Sequence, residues 1–472
     1  MSNALKLDLY QLTMAQGYWK AGRAERESVF NLYFRKCPFK GNYAIVGGIS
    51  SVVEFLKDFK YTLDDILYLG QQKGNDGEPL FDSEFLKYLH NLKFSCDIHA
   101  MEEGSVAFSN QPILRVEGPI VQCQLLETAL LQIVNFQTLI ATKASRIVKA
   151  ADGDPVIEFG YRRSQDPMGA SKASYIGGCV ATSNVCAGKQ YGIPIKGTHA
   201  HSWVMSFPDE LTAFRKYAES MPNNCVFLVD TYDTIQGVKN AITVAKEMRK
   251  DGHEMLGIRL DSGDMVKLSI EARKLLDEAG FVNANIVASN DLDEYAIEEM
   301  KVLGAKINIW GIGTKLVTAY DQPALGGVYK LAAIQADDGN WDYKMKLGSA
   351  TKESYPGFVQ VKRIFKNGNH LCDYLYDLST KRENLVFKDP LSEDCIDMFD
   401  IDNGKYEAED LLSEIYQNGH FTGKINAIED ARQRSLSEVE TVGANTSNIN
   451  GLTLMEESYA KLREEVKKRQ SK

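Results

Sequence analysis

The sequence predicts an α/β protein in which repeated βα units close into a parallel barrel beside an α+β module. Two observations carry that expectation. From Pro155 onward, six short β-rich runs (VIEFG, GIPIKGT, CVFLVD, MLGIRL, NIVASN and KINIWGIG) each lead into a polar cluster and a helical stretch. With Glu158, Thr198, Asp230, Arg259, Ser289 and Gly311 as marks, successive spacings are 40, 32, 29, 30 and 22 residues, the length of βα units, so the strands should run parallel. Secondly, polar residues gather at the C-terminal end of all six runs: Glu158 with Arg162 and Arg163, Thr198 with His201, Asp230 with Asp233, Arg259 with Asp261 and Asp264, Ser289 with Asn290 and Asp291, then Gly311, Gly313 and Thr314. Six strand ends meeting on one face is how a barrel assembles a site from distant residues. An open doubly wound sheet would concentrate them near one switch point.

Residues 1–118 read as the α+β module. Asp8 opens an amphipathic helix that runs to Trp19, Val29 to Phe34 alternates as a half-buried strand would, and Ile49 to Phe59 is helical. Asp97 to Ala100 and Pro112 to Glu117 are strands, with turns at Gly104 and Gly118-Pro119. Residues 119–154 form one or two linking helices, and residues 155–335 hold the barrel. VYKLAAI, at its end, returns the chain to simple strands, and residues 336–472 continue them (DYKMKL, FVQVKRIF, DYLYDL), with hairpin breaks at Asp338-Gly339 and Asn367-Gly368. The charged tail from Ser435 ends in a peripheral helix, Met455 to Arg469.

A chain of 472 residues is long enough for two or three domains and for a buried active site. Its formal charge of −10 argues against nucleic acid as the main partner, while a local basic pocket still suits a phosphorylated small molecule. The eight cysteines are scattered with no CxxC pair, which favours reduced thiols in the cytoplasm over a disulfide framework or structural zinc. MSNALKLDLYQL lacks the apolar core and cleavage site of a signal peptide. The longest apolar stretch, Leu125 to Ile140, is interrupted by Glu127, Gln132, Asn135 and Gln137, so it reads as a buried helix and no membrane is expected.

The chemistry centres on Tyr191 to Phe207, where the apolar run Ile193 to Ile195 leads into Gly197-Thr198 and then His199 and His201. An HxH pair at a strand end suits a metal-dependent barrel hydrolase, but no third histidine stands at another strand end; no protein metal ligand set is expected, and His201 is read as catalytic. Arg162-Arg163 follow Phe159-Gly160; two guanidinium forks at a barrel mouth favour a phosphorylated substrate, where a surface ion pair is the bland alternative. In RLDSGD, Arg259 and Asp261 share one side of a strand end, suited to ribose hydroxyls or hydrated Mg²⁺, against the alternative of a solvated acidic loop. Gly311, Gly313 and Thr314 allow backbone N–H groups to approach a phosphate after a late strand.

The set DLYQLTMAQGYW (from Asp8), FRKCPF (from Phe34), EFGYRR (from Glu158), GTHAHS (from Gly197), RLDSGD (from Arg259) and GIGT (from Gly311) resembles the nicotinate phosphoribosyltransferase family, in order from Asp8 to about Leu331. The resemblance implies an irregular barrel of about seven parallel strands flanked by an α+β domain that the N-terminal and C-terminal segments build together. It implies a cytoplasmic homodimer, with active sites at the subunit interface, that makes nicotinate mononucleotide from nicotinate and phosphoribosyl pyrophosphate for NAD salvage. ATP hydrolysis would be coupled through a phosphohistidine, and Mg²⁺ would assist. By motif position His201 would be the phosphohistidine. Phe159, Arg162, Thr198, Ser202, Arg259 and Asp261 would bind substrate, and Tyr10 would stack on the pyridine ring from the partner subunit. Arg163, Gly311, Gly313 and Thr314 would hold phosphate. A neutral imidazole nucleophile needs an acidic neighbour or backbone carbonyl to orient its other nitrogen, and Asp230 or Asp233 is the expected neighbour of His201. Asn184 stands where nicotinamide-using relatives carry an aspartate, so its neutral side chain favours the acid as substrate. The rivals are a nicotinamide enzyme of the same fold, the metal-dependent hydrolase, and a catalytically silent metabolite-binding protein.

Overall fold

Six short strands form the sheet of the unit Ile140–Pro323, in the order Ala181–Thr182, Val156–Glu158, Ile309–Ile312, Asn285–Ala288, Gly257–Leu260, Val226–Leu228. Every pair is parallel. The computed structural model describes residues 2–348, 352–389, 395–443 and 453–471. Within the C-terminal stretch 336–472, residues 349–351, 390–394, 444–452 and 472 therefore lie outside the described residues. The sheet's core is made by β-branched and aliphatic side chains such as Ile258, Ile286, Ile312 and Leu260, all fully buried.

Six of the helices between these strands start at carboxylate or amide caps, the one-turn helix His201–Met205, preceded by Ala200, being an exception. Asp166, Asn184, Asp209, Asp233, Asp264 and Asp293 each accept a backbone N–H from their own helix's first turn. The GIPIK run departs from expectation: it forms no ladder, only a single parallel bridge between Thr182 and Ile195. Pro194 has no N–H to offer a ladder, although its carbonyl accepts from Thr182 N at 3.0 Å. Six strands thus carry the parallel sheet, where the resemblance implied about seven.

The second unit comprises Met1–Leu139 and Ala324–Lys472. Its larger sheet is antiparallel, in the order Trp341–Tyr343, Gly327–Gln335, Glu27–Phe34, Pro112–Pro119, Asp97–Met101, Leu412–Gln417, His420–Phe421. Strands Val359–Lys366 and Asn369–Asp377 make a hairpin in a second sheet. Asn367 and Gly368 both have positive φ (53° and 74°), the backbone of a tight hairpin turn that keeps the strands' right-handed twist.

One helix, Ile120–Ala151, fills the linking stretch where one or two were expected, and contributes to both units. By length and composition it is apolar enough to cross a membrane, but 61% of its most apolar window is buried inside the fold. It is a core helix.

The hairpin carries a fully buried ion pair. Arg363 donates to Asp373 through Nε (3.0 Å) and Nη2 (2.8 Å), and to Glu438 through Nη1 (2.8 Å). Burial alone would raise the Asp373 carboxyl, but Arg363 and the nearby His370 hold it well below the usual carboxylate range. Removing one partner strands the other in low dielectric. Arg363→Met is therefore expected to destabilise the protein by about 3–5 kcal/mol, read as a lowered urea midpoint.

Candidate active site

At the C-terminal ends of the parallel strands lies a cavity of about 550 Å³. It gathers Phe159, Arg162, Arg163, Thr198, Arg259, Asp261, Gly311, Gly313 and Thr314 of the expected site residues, together with Tyr161, Ser183, Ser289, Asn290 and Asp291. The arginine wall is built by Glu158, a buried carboxylate at its strand's end. Glu158 accepts from Ser171 Oγ (2.8 Å), from Thr182 Oγ1 (2.5 Å) and from the backbone N–H of Gly160. It ties one strand end to its neighbour and to the following helix, and the chain then turns into the short helix Tyr161–Arg163, whose side chains are exposed to the cavity.

The glycine wall depends on close packing. A Cβ on Gly311 would lie 2.5 Å from the Phe159 ring, so only glycine lets that ring lie against the strand.

The acidic and basic groups form one network. Asp230 accepts from the backbone N–H of Asp261 (2.9 Å) and from Ser262 Oγ (2.6 Å), while Asp261 accepts from Ser289 Oγ and stands 3.7 Å from His201 Nε2. His201 itself is not among the cavity's lining residues; its Nδ1 faces Thr231 Oγ1 at 3.1 Å. Arg259 donates to the His199 carbonyl at 3.2 Å, and burial pushes its guanidinium below its ordinary value while Asp261 and Asp230 oppose the shift. Two buried polar atoms here lack a hydrogen-bond partner, Arg259 Nε and Asp230 Oδ1. Such groups normally find one, so the pair points to a ligand with complementary charge.

Several expectations are corrected. Neither Asp230 nor Asp233 contacts the His201 ring; Asp230 holds the RLDSGD loop, Asp233 accepts from Gln236 N, and the ring's neighbours are Thr231 and Asp261. Asp264 is a helix cap paired with Lys267 and does not line the cavity. Asn184 spends its side chain on Ala187 N, Pro167 O and Ser171 Oγ, so the residue facing the cavity is its neighbour Ser183. Ser202 is exposed on the one-turn helix His201–Met205 and is absent from the lining. Tyr10, expected to act from a second copy and so not among these corrections, lies on helix Leu9–Lys20 of the other unit, 44% exposed; partial burial and then the Glu127 carboxylate push its phenol up to about 12.

His199 is a structural residue. Its Nε2 accepts from Leu228 N at 3.2 Å and its ring packs edge-on against Tyr217, centroids 4.7 Å apart. With Nε2 turned inward and His201 facing Asp261, the two rings do not make the metal pair that the hydrolase reading requires. Burial lowers the His199 imidazole from 6.5 to about 4. The unfolded chain therefore takes up this proton first as pH falls, and the stability the neutral ring contributes above pH 6.5 is lost on the way down to about 4, roughly 3 kcal/mol in all. An NMR titration of His199 should show its midpoint near 4; an ordinary midpoint would contradict the buried acceptor role.

Comparisons with known proteins agree with this geometry. A family model described as the nicotinate phosphoribosyltransferase N-terminal domain matches residues 5–135, and one described as the nicotinate phosphoribosyltransferase family matches residues 155–367. Nicotinate phosphoribosyltransferase of Bacillus subtilis (strain 168) is 50% identical over 386 residues, covering 80% of this chain and 77% of that protein. That of Dictyostelium discoideum is 38% identical over 503 residues, covering 93% and 83%. The crystal structure of human nicotinic acid phosphoribosyltransferase matches with a TM-score of 0.81 at 29% identity, over 97% of this chain and 99% of that one. At 20% identity and a TM-score of 0.71, nicotinate-nucleotide pyrophosphorylase from Pyrococcus furiosus shares the fold over 93% and 95% of the two chains. Since the family match of residues 155–367 spans every residue that lines the cavity, sequence and site lead to one conclusion: this chain belongs to the nicotinate phosphoribosyltransferase family.

Proposed function

We propose that this chain joins nicotinate to phosphoribosyl pyrophosphate, releasing nicotinate mononucleotide and pyrophosphate, and that it couples the transfer to ATP hydrolysis through His201. The observation that supports this best is the buried Arg259 guanidinium with an unpartnered Nε, beside Asp230 and Asp261, in a cavity that also holds Arg162, Arg163 and the Gly311–Thr314 turn. A guanidinium held there pairs with the nicotinate carboxylate, and the neutral Ser183, in place of Asn184, leaves that wall without a carboxylate to repel it.

In the transfer, the pyridine nitrogen's lone pair forms a bond to the ribose anomeric carbon as the bond from that carbon to pyrophosphate oxygen breaks. Its electrons leave with pyrophosphate through an oxocarbenium-like state. Arg162 and Arg163 offset the charge that grows on the leaving group, and the ribose hydroxyls hydrogen-bond to Asp261. The turn containing Gly311, Gly313 and Thr314 holds the 5′-phosphate.

Mg²⁺ fits the donor set. Asp230 Oδ1 is buried and unpartnered and Asp261 lies beside it; among the described residues no three His, Cys, Asp or Glu make a cage, and Mg²⁺ takes one or two carboxylates when substrate phosphates complete its shell. Held by Asp230 and Asp261, the ion would supply charge neutralisation to the pyrophosphate.

His201 accepts the γ-phosphoryl group of ATP: a ring nitrogen bonds to phosphorus as the bond to ADP oxygen breaks. The Asp261 carboxylate near Nε2 favours the proton there and leaves the lone pair on Nδ1, beside Thr231. We further propose a closed ring of about seven strands in which the Ile195 stretch is the seventh, supported by its bridge to Thr182 and by the Leu228 N–H donated to His199. The working form is a cytoplasmic homodimer in which a second copy supplies Tyr10, exposed beside Leu9 and Met14, to the pyridine ring.

Supplied with nicotinate, phosphoribosyl pyrophosphate, Mg²⁺ and ATP, the protein should form mononucleotide and pyrophosphate in equal amounts; turnover of nicotinamide and none of nicotinate would refute the assignment. In the same assay His201→Ala should lose ATP stimulation and acid-labile labelling from γ-labelled ATP, and undiminished labelling would remove His201 from that role. Tyr10→Ala and Arg259→Ala should each be nearly inactive alone, yet regain activity when the two are refolded together, because one mixed site carries both native residues. No recovery would place Tyr10 and Arg259 in the same subunit's site.

A further inference from the structure

Two walls of the cavity are built from chain that lies past the register joining their strands. Pairing between Asn285–Ala288 and Ile309–Ile312 ends at Ala288 and Trp310, so Ser289–Asp291 and Gly311–Thr314 reach the cavity beyond it. An ion pair links the two chains again just beyond these segments, Lys315 Nζ to Asp293 Oδ2 at 2.6 Å, with the side chains 27% and 15% exposed. Asp293 is doubly committed, since its Oδ1 also accepts Ala296 N–H at 2.9 Å and so caps helix Glu294–Val302.

Between the anchors the backbone is strained. Asn290 has φ 104°, a conformation that persists only where its surroundings hold it. Ser289 fixes the near end through its bond to Asp261, and Asp293 fixes the far end through Lys315. Asp291 and Tyr320 also act electrostatically on Lys315, and Lys143 on Asp293.

We infer that the Lys315–Asp293 pair positions the Ser289–Asp291 rim against the Gly311–Thr314 turn and thereby sets the affinity for the phosphoribosyl substrate. Both are positioning residues, acting through the cavity wall and not on the reacting atoms. The inference rests on the transfer reaction proposed above, and it names which of the two substrates the pair serves.

Steady-state kinetics of the full-length enzyme, wild type beside Asp293→Asn, Lys315→Met, their double variant and Lys315→Arg, test it. Asparagine keeps the helix cap while removing the charge. Each single charge loss should raise the KM for phosphoribosyl pyrophosphate about tenfold, with kcat within about twofold and the KM for nicotinate unchanged. The double variant should be no worse than the worse single one, because both remove one interaction, and Lys315→Arg should recover most of the loss. Should Lys315→Met fail to fold, Asp293→Asn carries the test. An unchanged KM for phosphoribosyl pyrophosphate in Asp293→Asn, or additive losses in the double variant, would overturn the inference, additivity meaning that Lys315 acts on substrate by itself. Normal wild-type transfer with an unaltered variant sinks this inference alone; absence of transfer in the wild type sinks the reaction as well.

Discussion

Parallel pairing is the constraint on which the site depends. Each strand from Val156–Glu158 to Ile309–Ile312 enters the sheet from the same end, so the chain after every strand must leave at the other. Residues from position 159 to position 314 are thereby delivered to one rim, although no ladder requires their side chains to meet there. The strands are only two to four residues long, so the rim is reached quickly and little backbone is spent before the polar residues begin.

At the rim, order comes from side chains binding neighbouring backbone. Glu158 holds Gly160 and the adjacent strand end, Asp230 holds Asp261 and Ser262, and Asp293 is held by Lys315. Each of these groups stabilises a loop that exposes a different one: arginines, the Asp261 carboxylate, the Asn290 turn. Preorganisation of this kind lets the cavity present charge without rearranging when substrate arrives. It also leaves Arg259 Nε and Asp230 Oδ1 unsatisfied, a cost that ligand binding would recover.

The same chemistry serves two purposes at these strand ends, and sequence patterns do not separate them. An aspartate or asparagine after a strand is what a following helix needs as its cap and also what a catalytic loop needs as a ligand. Asp233, Asp264 and Asn184 are caps, whereas Asp261, two residues after Arg259 and just past the end of its strand, faces the cavity. A usable signal lies in the spacing: a cap stands immediately before its helix, so Asp264, directly preceding Met265, was the weaker site candidate. Ser183 carried no such signal, because an isolated serine after a short strand is unremarkable until its neighbours are known, whereas Ser289 stood out with Asn290 and Asp291 at the end of its strand.

By itself the sequence determined the α/β class, the parallel direction of the strands after Pro155, the hairpin at Asn367-Gly368 and the motifs that mark the family. These follow from local properties: periodicity, turn propensity, and the order of residues along the chain. Tertiary structure alone decided which polar side chains share the cavity, that His199 faces inward while His201 faces Asp261, and that Pro194 limits its stretch to one bridge. The reason is physical. Those outcomes depend on hydrogen bonds between residues tens of positions apart, such as Leu228 with His199 or Lys315 with Asp293, and no window of sequence contains both partners together with the space between them.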